Sequence, residues 1–370
     1  MAELTVGVVG TSNMENEHRR PIHPAHLAKI DPELRKRMTF ERGYGERFHV
    51  SDEVLATQVG GLASRDELFA RSDCILLPKP TEGDFASFRE GQILWGWPHC
   101  VQGPKVTQVG IDKRLTMIAW EAMFHWNGEV RALHTFARNN ELAGYCSVVH
   151  ACQIQGITGI FGAPRRAAVI GFGATARGAI MALQGLGFRE IHCFTERPNH
   201  LVANQIPGVH FQENQTRKGH LSRDERAKLL GTFDVIVNCV LQDTDDPITF
   251  IYENTLRHLR PGTLIVDVSC DTAMGFEWAV PTSFAAPAFT VGNGVLYYAV
   301  DHTPSYLWEV STWEISKSLL PYLPVVMAGP DAWAADPTIA RAIEIHNGVI
   351  QNPKILSFQN RAPEWPHSPR

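Results

Sequence analysis

At 370 residues the chain is long for one compact core, so two domains are expected. Its 44% hydrophobic and 20% charged residues are ordinary for a soluble globular chain, and a net charge of -5 with no basic face excludes nucleic acid as the main partner. The 7 cysteines (Cys74, Cys100, Cys146, Cys152, Cys193, Cys239 and Cys270) are scattered and never spaced CxxC, which argues against a disulfide framework or a zinc site. No signal-peptide pattern opens the sequence and no apolar run approaches a membrane span, so a soluble cytoplasmic protein with no membrane partner and no bound metal is expected.

Strand-like and helix-like segments alternate from the start. Thr5 to Val9 reads as a strand, His26 to Ile30 as part of a helix, Met38 to Glu41 as a strand and Leu62 to Ala70 as a helix. Short apolar runs follow at Cys74 to Leu77, broken by Pro78-Lys79-Pro80, and at Ile93 to Trp97, broken by Pro98-His99. Leu115 to Trp120 is a further strand. Residues 138–160 lack proline and carry apolar positions at helical spacing, predicting one long helix.

That helix leads into the most informative segment. The buried strand Ala167 to Ile170 runs into Gly171-Phe172-Gly173-Ala174-Thr175-Ala176 and then into good helix formers. Gly171 permits a tight turn, Gly173 admits a pyrophosphate close to the backbone, and Ala174, Thr175 and Ala176 open the helix whose N-terminal N–H groups favour phosphate. Ala176 stands where a third glycine is usual, and Gly178 is expected to let helix and sheet pack closely. A second strand, Ile191 to Phe194, ends at Thr195-Glu196-Arg197, about 20 residues on, where a ribose-recognising group belongs. Glu196 suits the ribose hydroxyls of NAD, whereas Thr195 with Arg197 suits a 2′-phosphate. The reading favours NADPH with NADH possible, and Arg197 also reads as a solvated loop charge.

Val235 to Val237 and Thr263 to Val268 continue the alternation, and Pro304 to Leu320 again reads as helical. The expected fold is α/β, with two Rossmann-like domains built on parallel sheets. A discontinuous substrate domain (1–140 and 302–370) and a dinucleotide-binding domain (141–301) are predicted, with the active site in the cleft they share. The Pro-rich end, APEWPHSPR, predicts a loosely held tail.

Reactive groups in such sheets stand at the carboxyl ends of strands. Arg19 follows the first strand, Lys79 and His99 end the two Pro-broken strands, and Asp271 ends the strand through Val268. Arginine holds a carboxylate bidentately, lysine polarises a carbonyl and histidine exchanges a proton near neutrality, which together suit a 2-oxo acid. Taken singly, each also reads as an ordinary surface or satisfied polar residue.

The ordered motifs resemble those of the alanine dehydrogenase and pyridine-nucleotide transhydrogenase family, which includes saccharopine dehydrogenases. E-H-R-R-P-I-H-P (17–24) looks like its N-terminal signature, with Arg19 at the substrate arginine. Lys79 in L-L-P-K-P looks like the substrate lysine, His99 in W-P-H like the catalytic histidine, and Asp271 in V-D-V-S-C-D like the aspartate beside the nicotinamide. Within that family, F-E-R-G-Y-G-E (40–46), S-C-D-T-A-M-G-F-E-W-A (269–279) and the aromatic run 297–316 resemble N5-(carboxyethyl)ornithine synthases. The resemblance implies NADPH-dependent reductive condensation of a pyruvate-like oxo acid with the amine of an ornithine- or lysine-like amino acid, in a homo-oligomer. Asp301, Trp308, Trp313 and Tyr306 are expected to shape the amine pocket, although Trp308 and Trp313 equally suit helix packing, and Trp95 and Trp97 read as core. Reductive amination with ammonia, a saccharopine dehydrogenase-like reaction and an idle NADP(H)-binding sensor are the alternatives.

Overall fold

A computed structural model describes residues 3–213 and 221–370. The chain divides into two compact units, Met1–Ala137 with Trp308–Arg370, and Arg138–Leu307. Among the described residues no helix is long and apolar enough to cross a membrane.

The first unit is built on an eight-stranded sheet. From one edge its strands are Val349–Ile350, Ile343–His346, Thr116–Ala119, Ile93–Gly96, Cys74–Leu76, Val6–Val8, Met38–Glu41 and Gly61–Ala63. The six N-terminal strands are all parallel, and their spatial order in chain terms is 3-2-1-4-5-6. Their near-continuous apolar sequences follow from burial on both faces. Val6, Val8, Leu76, Trp95 and Ile118 pack into one core, while Val9, Ile75, Leu94 and Met117 pack into another. The return segment adds Ile343–His346 antiparallel beside Thr116–Ala119.

The second unit repeats the plan. Its strands run Val209–Glu213, Glu190–Thr195, Arg166–Ile170, Val235–Asn238, Leu264–Asp267, Val295–Tyr298 and Ala288–Val291, the last antiparallel and the others parallel. Val169, Val237, Val266 and Tyr298 face one core; Ile170, Ile236, Ile265 and Tyr297 face the other. The α/β fold with parallel sheets expected from the sequence is therefore what the chain forms.

Several local expectations are corrected. Leu62 belongs to the strand Gly61–Ala63, and the helix Arg65–Arg71 begins only after Ser64 and Glu67 close a capping box, Ser64 N–H donating to Glu67 Oε2 at 2.9 Å. His26 lies in a 3-10 turn, Pro24–Lys29. The long helix spans Ala137–Gln155 and stops at Gly156, whose φ is +70°. A hairpin, Phe124–Asn127 with Val130–His134, was not anticipated although Asn127-Gly128 is a hairpin turn signal. The C-terminal tail is held: His367 is 1% exposed, its Nε2 accepts the Ile350 N–H at 3.1 Å, and Arg361 pairs with Pro369 in a bridge. Gly178 packs helix on helix, since a Cβ there would stand 1.7 Å from the Glu141 carbonyl oxygen, and one on Gly144 would stand 1.8 Å from that of Thr175.

Candidate functional site

In a 3-2-1-4-5-6 sheet the loops after the first and fourth strands diverge and leave a crevice at their carboxyl ends. In the first unit these are the loop after Val6–Val8, carrying Glu17, Arg19 and Arg20, and the loop after Cys74–Leu76, carrying Lys79. The neighbouring strand Ile93–Gly96 delivers His99 to the same edge. Arg19, Lys79 and His99 thus share the sheet edge that chemistry uses.

The arginine loop is pinned at both ends. Glu41 accepts from the N–H groups of Gly10 and Thr11 at 2.7 and 2.8 Å, and the buried Tyr44 hydroxyl donates to the Ile22 carbonyl and accepts the Ile22 N–H. Arg19 is buried over the Trp97 ring at 5.0 Å, and Glu17 takes both its Nε, at 2.8 Å, and its Nη2. Glu17 was not anticipated, although it stands two residues before Arg19 in the same motif. Trp95 and Trp97 are core residues.

His99 sits at φ +50°, with its side chain 47% exposed. Its backbone N–H donates to Glu121 Oε1 at 2.6 Å, and Nδ1 lies 3.8 Å from the same oxygen. Burial, and secondarily Glu344, pushes the Glu121 carboxyl up to about 8. Glu121 Oε2 is buried without a hydrogen-bond partner among the described residues. Sequence reading missed Glu121, which follows the strand Thr116–Ala119 directly after Trp120.

In the second unit, Gly171 takes φ +96° beside the Cys239 carbonyl. A Cβ on Gly173 would meet nothing within 4 Å, and no side chain caps the helix Ala174–Gly185 that it starts. This is an open cradle of unclaimed N–H groups with the shape and dipole to receive a pyrophosphate. Ala176 is fully buried. Thr195 ends its strand buried, its Oγ1 accepting the Arg197 N–H at 3.3 Å, while Glu196 and Arg197 are exposed.

Asp271 follows Cys270, at φ +58°, and burial with the nearby Asp301 raises it to about 6. Asp301 accepts the His302 N–H at 2.7 Å. The loop bearing Asp271 starts from a fully buried network: Asp267 accepts from Asn238 Nδ2 at 2.9 Å and from the Tyr297 hydroxyl at 2.8 Å. Sequence reading passed over Asp267 in V-D-V-S-C-D. The residues expected to shape an amine pocket fall in both units. Trp308 packs on Phe48 and Trp313 on His23 and His26 in the first, whereas Tyr306 packs on His150 and Phe284 in the second. Among the described residues no cluster of His, Cys, Asp or Glu could hold a metal ion.

Known proteins share this two-unit plan. The family model for the alanine dehydrogenase/PNT N-terminal domain matches residues 9–139, and that for the C-terminal domain matches residues 140–353. The chain belongs to the alanine dehydrogenase/PNT family, whose named members here are oxidoreductases. It is 25% identical over 374 residues to the alanine dehydrogenase of Mycobacterium tuberculosis (strain ATCC 25618 / H37Rv), covering 96% of each chain. It is 27% identical over 331 residues to the N(5)-(carboxyethyl)ornithine synthase of Lactococcus lactis subsp. lactis, covering 85% of this chain and 93% of that one. Among solved structures, an L-alanine dehydrogenase superposes with TM-score 0.75 at 19% identity, covering 96% of this chain and 99% of that one. A transhydrogenase from Sinorhizobium meliloti superposes with TM-score 0.72 at 17% identity, covering 94% and 99%.

Proposed function

We propose that this protein is an NADPH-dependent oxidoreductase that condenses a short 2-oxo acid with the amine of an amino acid, forming an N-carboxyalkyl amino acid. The observation that carries the reading is the common placement of Arg19, Lys79 and His99 at the carboxyl edge of one parallel sheet. Arg19, held rigid by Glu17, presents a guanidinium to the oxo-acid carboxylate. Lys79 stabilises negative charge as the ketone oxygen gains it. His99 moves the proton from amine nitrogen to that oxygen as the C–N bond forms; reprotonated from solvent, it then gives a proton to the hydroxyl, which leaves as water to give the iminium. Gly171, Gly173, Ala174, Thr175 and Ala176 would hold the dinucleotide, whose chemistry when bound would be hydride donation. Asp271 would orient the nicotinamide, and the half-buried Trp308 offers an organic surface that ammonia would not need.

Oxidation of NADPH with pyruvate should be supported by ornithine or lysine far better than by ammonium, with the secondary amine detected by product mass. Efficient alanine formation from ammonium with every amino acid inert would replace this reading by an alanine dehydrogenase. Tight cofactor binding without turnover on any pair would make the protein a sensor. For the cofactor, exposed Arg197 beside the ribose-end strand favours a 2′-phosphate. Arg197→Ala should weaken NADPH roughly tenfold and leave NADH nearly unchanged, because only one ligand loses a charge-assisted contact. Equal losses for both cofactors would remove Arg197 from the site.

A further inference from the structure

Arg20 is 8% exposed, yet its guanidinium Nε is buried without a hydrogen-bond partner among the described residues. Its backbone N–H donates to Thr312 Oγ1 at 2.9 Å, and the guanidinium lies 5.9 Å from the centre of the Tyr44 ring. Two carboxylates, Glu17 and Glu41, are close enough to act on it through their charge. Both are committed elsewhere: Glu17 grips Arg19, and Glu41 accepts from Gly10, Thr11 N–H and Thr11 Oγ1 while facing Arg65 at 3.8 Å. A like charge also faces the helix that carries Thr312, Trp308–Leu319: Arg47 lies exposed over the Trp308 ring at 5.5 Å, one turn before the Thr312 that Arg20 bonds, and it acts on Arg20. A buried cation beside a second cation, with no anion of its own, is costly unless a ligand supplies the anion.

We infer that Arg20 and Arg47 form a second carboxylate subsite, which takes the α-carboxylate of the amino acid that supplies the amine. The inference rests on the condensation proposed above. Arg19 leans over Trp97 and Arg20 over Tyr44, so the adjacent arginines have different neighbours, and each takes one carboxylate of a dicarboxylate product. Trp308, with Arg47 over its ring and Phe48 meeting it edge-on, covers the apolar stem of the amino acid.

The test compares L-ornithine with 1,4-diaminobutane, the same amine without the carboxylate, at saturating pyruvate and NADPH. In Arg47→Gln and Arg20→Met the KM for ornithine should rise about 10- to 100-fold, as expected for loss of a charge-assisted contact. The KM for diaminobutane should move less than about threefold on the same reasoning. Arg47 is exposed and its replacement spares the core, while methionine at position 20 removes an uncompensated buried charge, so both variants should fold. Equal rises for both amines, or no rise for ornithine, overturn the subsite. A rise confined to the KM of the oxo acid overturns its assignment to the amine. Should no amine support turnover, the condensation has failed but the subsite is still decided, by calorimetric titration with L-norvaline and with butylamine. Norvaline binding lost in Arg47→Gln upholds it, and identical titrations in wild type and variant reject it.

Discussion

His99→Ala is expected to lower kcat by about 10²- to 10⁴-fold, the range over which a positioned proton-transfer group contributes. NADPH affinity should stay within about twofold, because His99 belongs to the first unit and the phosphate cradle is built from Gly171, Gly173 and the helix start in the second. The side chain is 47% exposed, so truncation empties no core volume and the fold should be unharmed. In the condensation proposed above, what is lost is the shuttle for carbinolamine formation and dehydration. Steady-state kinetics, with cofactor affinity read by NADPH fluorescence, measures both quantities. Turnover at the wild-type level across the pH range would exclude His99 from the mechanism. Comparable losses of kcat and NADPH affinity would point to a structural lesion instead.

The parts of this site legible in the sequence are those encoded locally. Pro78-Lys79-Pro80 and Trp97-Pro98-His99 each close an apolar run with a proline, which cannot extend a central strand, so the reactive residue beside it falls on the carboxyl-end loop. Gly171 and Gly173 announce their turn because no other residue adopts φ +96° easily or leaves the second position open. Glu121, Asp267 and Arg20 were not legible as special, because their state is set by distant segments. Glu121 is raised partly by Glu344 on the returning strand, and Asp267 meets Tyr297 thirty residues further on. Arg20 is distinguished by what it lacks, and only the committed partners of Glu17 and Glu41 reveal that. The C-terminal tail illustrates the same limit: its prolines suggest looseness, but His367 finds the Ile350 N–H through a non-local contact. At residues 61–63 a local signal was present and outweighed, since Ser64 and Glu67 mark where the helix starts and so leave Leu62 outside it.

Asp267→Asn is expected to flatten the dependence of stability on pH. Burial raises the Asp267 carboxyl from 3.8 to about 7, against the opposing effect of the Tyr297 and Asn238 hydrogen bonds. Between those values the folded chain keeps a proton that the unfolded chain has released, so stability falls as pH rises. The contribution is fully present below the unfolded value and is lost as pH passes the folded one. The limiting slope is about 1.4 kcal/mol per pH unit, and the whole interval is worth on the order of 4 kcal/mol. Asparagine imitates the protonated acid at every pH: its oxygen can accept from Asn238, and its amide can donate to a Tyr297 hydroxyl that turns to receive it. Urea unfolding at intervals from pH 5 to pH 8 should therefore show the wild type losing stability relative to the variant as pH rises. The difference between the two curves isolates Asp267, because the other raised acids, Asp271 at about 6 and Glu121 at about 8, and the histidines lowered to about 4, His26 and His134, which act in the opposite sense, are common to both proteins. Parallel curves for the two proteins would mean that Asp267 is ionised throughout, held so by its two donors. The Asp271 loop would then begin from a fixed negative charge instead of a neutral, hydrogen-bonded anchor.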